Sequence, residues 1–146
     1  MTIESLVDHM TADLLLSDVL AIPQPCTEQA IAQAEAAFKQ ALGLDFPEVY
    51  KRVLRRANGV MHNGLIIWPA VNEPLFQETL LDANNDLRDS FSGQFIYYGQ
   101  LDEELYVLEL ASQTYCAIEL VGKPVWKRFR DALEMFEFML DRAWNA

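Results

Sequence analysis

The stretch Phe95-Ile-Tyr-Tyr-Gly-Gln-Leu-Asp-Glu-Glu-Leu-Tyr-Val-Leu-Glu-Leu-Ala-Ser-Gln-Thr-Tyr-Cys-Ala-Ile-Glu119 decides how the chain folds. It contains three runs rich in aromatic and branched residues, at 95–98, 105–110 and 114–119, which is strand composition. The connections 99–104 and 111–113 are too short for a crossover helix, so the runs are expected to form an antiparallel meander. Side chains alternate along a strand, so simple pairing puts Val107, Cys116 and Ile118 on one face and Tyr106, Leu108 and Tyr115 on the other. Both faces are then partly apolar. One packs under helices; the other is expected either to be buried as well or to form a tyrosine-lined groove rimmed by acids.

The segments around this meander carry the helical period instead. In 2–20, Leu6, Met10, Leu14 and Val19 recur at helical spacing, with Val7 and Leu15 beside them. Pro23 and Pro25 follow as the one clear joint. They divide an N-terminal helical extension (1–22) from the domain proper (23–146) within a single globular unit. Thr27 is a good N-cap, with Glu28 placed for the helix dipole, and the stripe Ile31, Ala34, Phe38, Leu42 runs to Gly43. A third helix starts near Pro47, presents Val49, Tyr50, Val53, Leu54 and Ala57, and stops at Asn58-Gly59. Residues 65–68 read as a short buried strand ended by Pro69, and 73–87 as a helix with Phe76, Leu80, Ala83 and Leu87 inward. After the break at Gly122-Lys-Pro124, a last helix is expected from Phe129, Leu133, Phe136, Leu140 and Trp144. Helices, then a small sheet, then a closing helix define an α+β fold.

The chain has 146 residues, 51% of them hydrophobic and 23% charged, enough for one domain with a core. Against 22 Asp and Glu stand 11 Lys and Arg, a formal charge of −11. That sign argues against nucleic acid and against a membrane surface, and leaves a basic protein partner open. The charge is uneven. Residues 1–38 contain six acids and no Lys or Arg, 39–56 contain a basic cluster, and 57–122 contain ten acids against Arg88 alone. The N-terminus lacks the basic residues of a signal peptide and no apolar run approaches membrane-spanning length, so a cytoplasmic location is expected.

No arrangement of residues announces catalysis. His9 and His62 are accompanied by neither a nucleophile elbow nor a metal motif, and Gly59 and Gly64 lack the phosphate-loop Lys-Ser/Thr. Cys26 and Cys116 have no metal spacing and are expected to be reduced and buried. Asp82, Asp86 and Asp89 fall on one helix face, where a solvated row of acids is expected before a cation site; a hydrolase using Asp82 and Asp86 stands as a rival. Asp102, Glu103 and Glu104 form an acidic hairpin tip beside Tyr98, Tyr106 and Tyr115. Tyrosine suits protein interfaces, so these six are the expected partner-binding residues. No catalytic residue, metal ligand or cofactor is assigned.

The order of features resembles a known family. Phe46-Pro47-x-x-Tyr50, a helix closing at Asn58-Gly59, a hydrophobic strand, Phe95-Ile-Tyr-Tyr-Gly99 and a final segment with Phe129 and Phe136 are similar to the SUKH superfamily, the Smi/Knr-like proteins, over about residues 27–142. After Gly99 the chain departs from the family pattern, with Gln-Leu-Asp-Glu-Glu where members often have a glycine-containing turn. The resemblance implies an α+β fold without enzymatic activity. It also implies an immunity protein that binds and neutralises a cognate toxin, often a nuclease, or a regulatory or scaffold binding protein with no toxin partner. Monomer and homodimer are both compatible with it.

Overall fold

The computed structural model describes residues 1–17, 21–90 and 93–146, with the side chains of 89 and 90 left out. Among the described residues five helices pack with one sheet: α1 (Ile3–Leu15), α2 (Glu28–Leu42), α3 (Glu48–Arg56), α4 (Leu80–Ser90) and α5 (Ala132–Trp144). The strands are β1 (Val60–His62), β2 (Leu65–Ile67), β3 (Phe95–Leu101), β4 (Glu104–Glu109), β5 (Thr114–Glu119) and β6 (Val125–Arg128). They pair in sequence order and antiparallel throughout, which makes this the α+β architecture that the alternation of helical and strand periods predicts.

The central pairing follows the expected register. Val107 lies opposite Cys116 and Leu108 opposite Tyr115, so Val107, Cys116 and Ile118 share one face and Tyr106, Leu108 and Tyr115 the other. Tyr98, two residues beyond Ile96 and its partner Leu108, points to the same face as Tyr106 and Tyr115, and an irregularity between Tyr97 and Gly99 brings Gly99 opposite Tyr106. That face is packed under helices. Tyr98 meets Phe38 of α2 and Phe136 of α5, and Tyr106 meets Phe138 of α5. Beyond the end of β2, Asn84 of α4 bonds to the backbone of Tyr97 along the edge of β3.

Several boundaries differ from expectation, each for a local reason. β1 occupies 60–62 where only a turn was expected, because Asn63-Gly64, with φ of 46° and 85°, makes a two-residue hairpin into β2. α4 begins at Leu80, seven residues late. Pro74 lies in an irregular segment over 73–79, and Thr79 caps the helix by accepting from Asp82 N–H. β6 replaces the start of the last helix. Asp131 caps α5 and accepts from Glu134 N–H, so Leu133 is exposed and the inward stripe is Met135, Phe136, Met139, Leu140 and Ala143. α1 ends at Leu15, and Val19 lies outside the described residues. Ile3, Leu6, Val7 and Met10 of α1 are buried in the common core with α3 and α5.

Candidate functional site

Three turns meet at one end of the sheet. The β3–β4 turn is tied to the β1–β2 turn by Asp102 N–H donating to Gly64 O (3.3 Å), and to the end of β5 by Leu120 N–H donating to Glu103 O (2.7 Å). Gly64 is required there. It has positive φ, and a Cβ at that position would lie 2.4 Å from Asp102 Oδ1. Between the β3–β4 turn and the end of β5 opens a cleft of about 430 Å³, lined by Asp102, Glu103, Glu104, Glu119, Leu120 and Val121. Val121 is 79% exposed, so the cleft has an accessible apolar edge.

The four carboxylates of this cleft are not equivalent. Glu104 is committed: Arg142 Nη2 donates to its Oε1 (2.6 Å), and Tyr106 OH donates to its Oε2 (3.0 Å). Among the described residues, Asp102, Glu103 and Glu119 form no ion pair. Three uncompensated negative charges therefore surround an apolar strip.

The expected tyrosine groove is not present. Tyr98 and Tyr106 are 1% and 0% exposed, and both belong to the helix-covered core. Burial pushes both phenols well above their ordinary range, with Glu104 adding to the effect at Tyr106 and the hydrogen bond to Tyr115 at Tyr98. Tyr115 is half-buried and ring-packed against Tyr98. The structure brings Asp102, Glu103 and Glu104 together as expected and adds Glu119, Leu120 and Val121. It removes Tyr98 and Tyr106 from any accessible surface, because α2 and α5 cover the face they share.

The basic cluster of α3 is not an open positive patch. Arg52 holds Glu4 in a bidentate pair (2.7 and 2.8 Å), Arg55 holds Glu28 (2.6 Å), Arg56 holds Asp8, and Lys51 holds Glu35 (3.0 Å). The acids of α1 and α2 thus meet the cations of α3 along one seam. The Arg52 guanidinium holds the Glu4 carboxyl down at about 2.

The acidic row on α4 is also accounted for. Asp82 Oδ2 accepts from Thr79 N–H (3.2 Å), completing the cap of the helix, and Asp86 contacts Glu78. Burial and then the neighbouring Asp86 push the Glu78 carboxyl up to about 7. The side chain of Asp89 lies outside the description. Among the described residues no three His, Cys, Asp or Glu side chains are grouped to hold a metal ion. His62 Nε2 lies 2.8 Å from Asp13 Oδ2, with its ring tilted against Trp144, an arrangement that fastens β1 to α1 and α5. Both cysteines are free, and burial pushes each thiol up to about 11.

Lys123 was not singled out by the sequence. Its Nζ donates to Tyr97 OH (2.9 Å) and lies over the Phe95 and Tyr97 rings, and burial lowers it to about 8. Its left-handed φ of 60°, after Gly122, gave no composition signal.

Comparison with protein-family models and with curated proteins finds no match for the chain. Among the described residues no helix is long and apolar enough to cross a membrane.

Proposed function

We propose that this chain is a non-enzymatic protein-binding module of SUKH type, acting in the cytoplasm as an immunity protein against a toxin domain of basic character. The observation that carries the reading is the end of the sheet, where Asp102, Glu103 and Glu119 stand uncompensated around Leu120 and Val121. A cationic protein face gains there twice. Complementary potential speeds encounter, and the apolar strip supplies area that can be fully desolvated on docking. The pairing of the α3 cations with α1 and α2 acids supports the same end, since it leaves little free positive charge to oppose a basic partner nearby.

The test is to clone candidate toxin domains of basic character from the neighbourhood of this gene and measure protection of cells that express them. The wild-type chain is expected to protect, and the combined variant D102K/E103K/E119K to lose protection while keeping its thermal melt. The purified pair should associate more slowly as salt rises from 50 to 300 mM, because encounter is steered by charge. No protection by the wild-type chain, or equal protection by the triple variant, would overturn the proposal.

A further inference from the structure

A second cavity, of about 370 Å³, lies against the β1–β2–β3 end of the sheet and shares no lining residue with the acidic cleft. Its floor is a cross-strand row, since Met61 pairs with Ile66 and Ile66 with Gln100, so the three project to one face. Trp68 and Phe76 wall it, and Glu78 stands in its lining. The volume suits a ring with a short side chain. The polar end of the cavity has one sign. The charged groups acting on Glu78 are Asp86 and Asp82 of α4, both acids. The remaining polar lining, Gln77 and Gln100, carries no charge. Burial and the neighbouring Asp86 and Asp82 charges favour the protonated Glu78 carboxyl. That proton does the work of a counter-ion.

We propose that this cavity binds a small organic ammonium ion with an aromatic or branched aliphatic body, its charge set against Glu78 and its body on Met61, Ile66, Trp68 and Phe76. The ammonium replaces the Glu78 proton, which leaves to solvent, so charge is conserved at the site. Aromatic walls add attraction for a cation that a neutral isostere of the same shape does not receive. The acids around Glu78 exclude a carboxylate of similar shape. Occupancy also fixes the 73–79 segment against the sheet, because both its Phe76 and its Glu78 line the cavity.

The experiment is calorimetric titration of the full chain with 2-phenylethylammonium, with neutral 2-phenylethanol, and with 3-phenylpropionate, at pH 6 and pH 8. The ammonium ion is expected to bind at least tenfold more tightly than the alcohol, and the carboxylate not to bind. At pH 6 the heat should vary with buffer ionisation enthalpy, reporting proton release, and at pH 8 that dependence should fade as Glu78 has largely lost its proton. Glu78→Gln should abolish the preference for the ammonium over the alcohol. Carbon-13 titration of the Glu78 carboxyl in the wild-type chain provides an independent reading, with the ligand lowering its midpoint. Equal affinity for ammonium and alcohol, no saturation at millimolar ammonium, a preference retained in the glutamine variant, or an unmoved Glu78 midpoint would each overturn the proposal.

Discussion

Removing the Asn84 side chain is expected to destabilise the protein by about 3–5 kcal/mol, because two buried backbone groups depend on it. β2 ends at Ile67, which pairs with Gly99 of β3. Continuing that register brings Pro69 opposite Tyr97, and proline has no N–H to offer. Asn84 of α4 takes the missing strand's place. Its Oδ1 accepts from Tyr97 N–H (2.7 Å), and its Nδ2 donates to Tyr97 O (2.9 Å) and to Leu80 O (2.9 Å). Both residues are 0% exposed, so water does not replace the lost partner. Asn84→Ala strands one donor and one acceptor, at about 1–3 kcal/mol each, and adds a small void. With a urea slope of about 1–3 kcal/mol/M, the unfolding midpoint should fall by roughly 1–5 M at unchanged slope. The Tyr97 amide should also exchange with solvent much faster than in the wild type. Asn85→Ala, at the exposed neighbouring position, should stay within about 0.5 kcal/mol. A loss below about 1 kcal/mol for Asn84→Ala, or equal losses at 84 and 85, would refute the view that Asn84 replaces a strand.

Two further outcomes follow from close contacts and from charge. At Gly99 a Cβ would lie 2.8 Å from Met139 Sδ and 3.2 Å from Ile66 O, so Gly99→Ala should cost about 1–3 kcal/mol in urea unfolding as α5 is pushed from the sheet. Glu4 titrates near 2 in the folded chain against an ordinary value of 4.5, so its pair with Arg52 stabilises above about pH 4.5 and loses that effect as pH falls toward 2. Glu4→Gln should therefore be less stable than the wild type at pH 7, by a few tenths to about 1 kcal/mol given the exposure of the pair, and equal to it near pH 2.

The meander was readable because three runs of strand residues, joined too briefly for helices, leave one pairing, and alternation then assigns each side chain to a face. What alternation does not carry is which face stays open. That depends on α2 and α5, whose Phe38, Phe136 and Phe138 cover Tyr98 and Tyr106 from positions 32 to 60 residues distant in the chain. The β1–β2 hairpin did have a local signal, Asn63-Gly64, but β1 is only three residues long and follows a helix stop. β6 had almost none. Lys127 and Arg128 follow Val125 and Trp126, a composition typical of edge strands, where cations discourage further pairing. The last helix was misphased for a related reason. Phe129 directly follows β6, where its N–H donates to Tyr115 O, so counting the stripe from it places Leu133 inward when it faces solvent.

The charge of −11 separates in the folded chain into two populations with different consequences. Glu4, Asp8, Glu28 and Glu35 are bound to α3 cations, and ion pairs at a protein surface contribute little to stability. Their larger effect is geometric. Four pairs along one helix define how α1 and α2 lie across α3, and salt should loosen that seam without unfolding the buried stripe beneath it. The carboxylates of Asp102, Glu103 and Glu119 form no ion pair among the described residues, and they add repulsion to the native state rather than cohesion. A sequence under no demand beyond folding gains by neutralising them. Asp102→Asn, Glu103→Gln and Glu119→Gln together should accordingly leave the fold equal or more stable, while slowing capture of a basic partner. The cost in stability and the gain in encounter rate thus reside in the same three side chains.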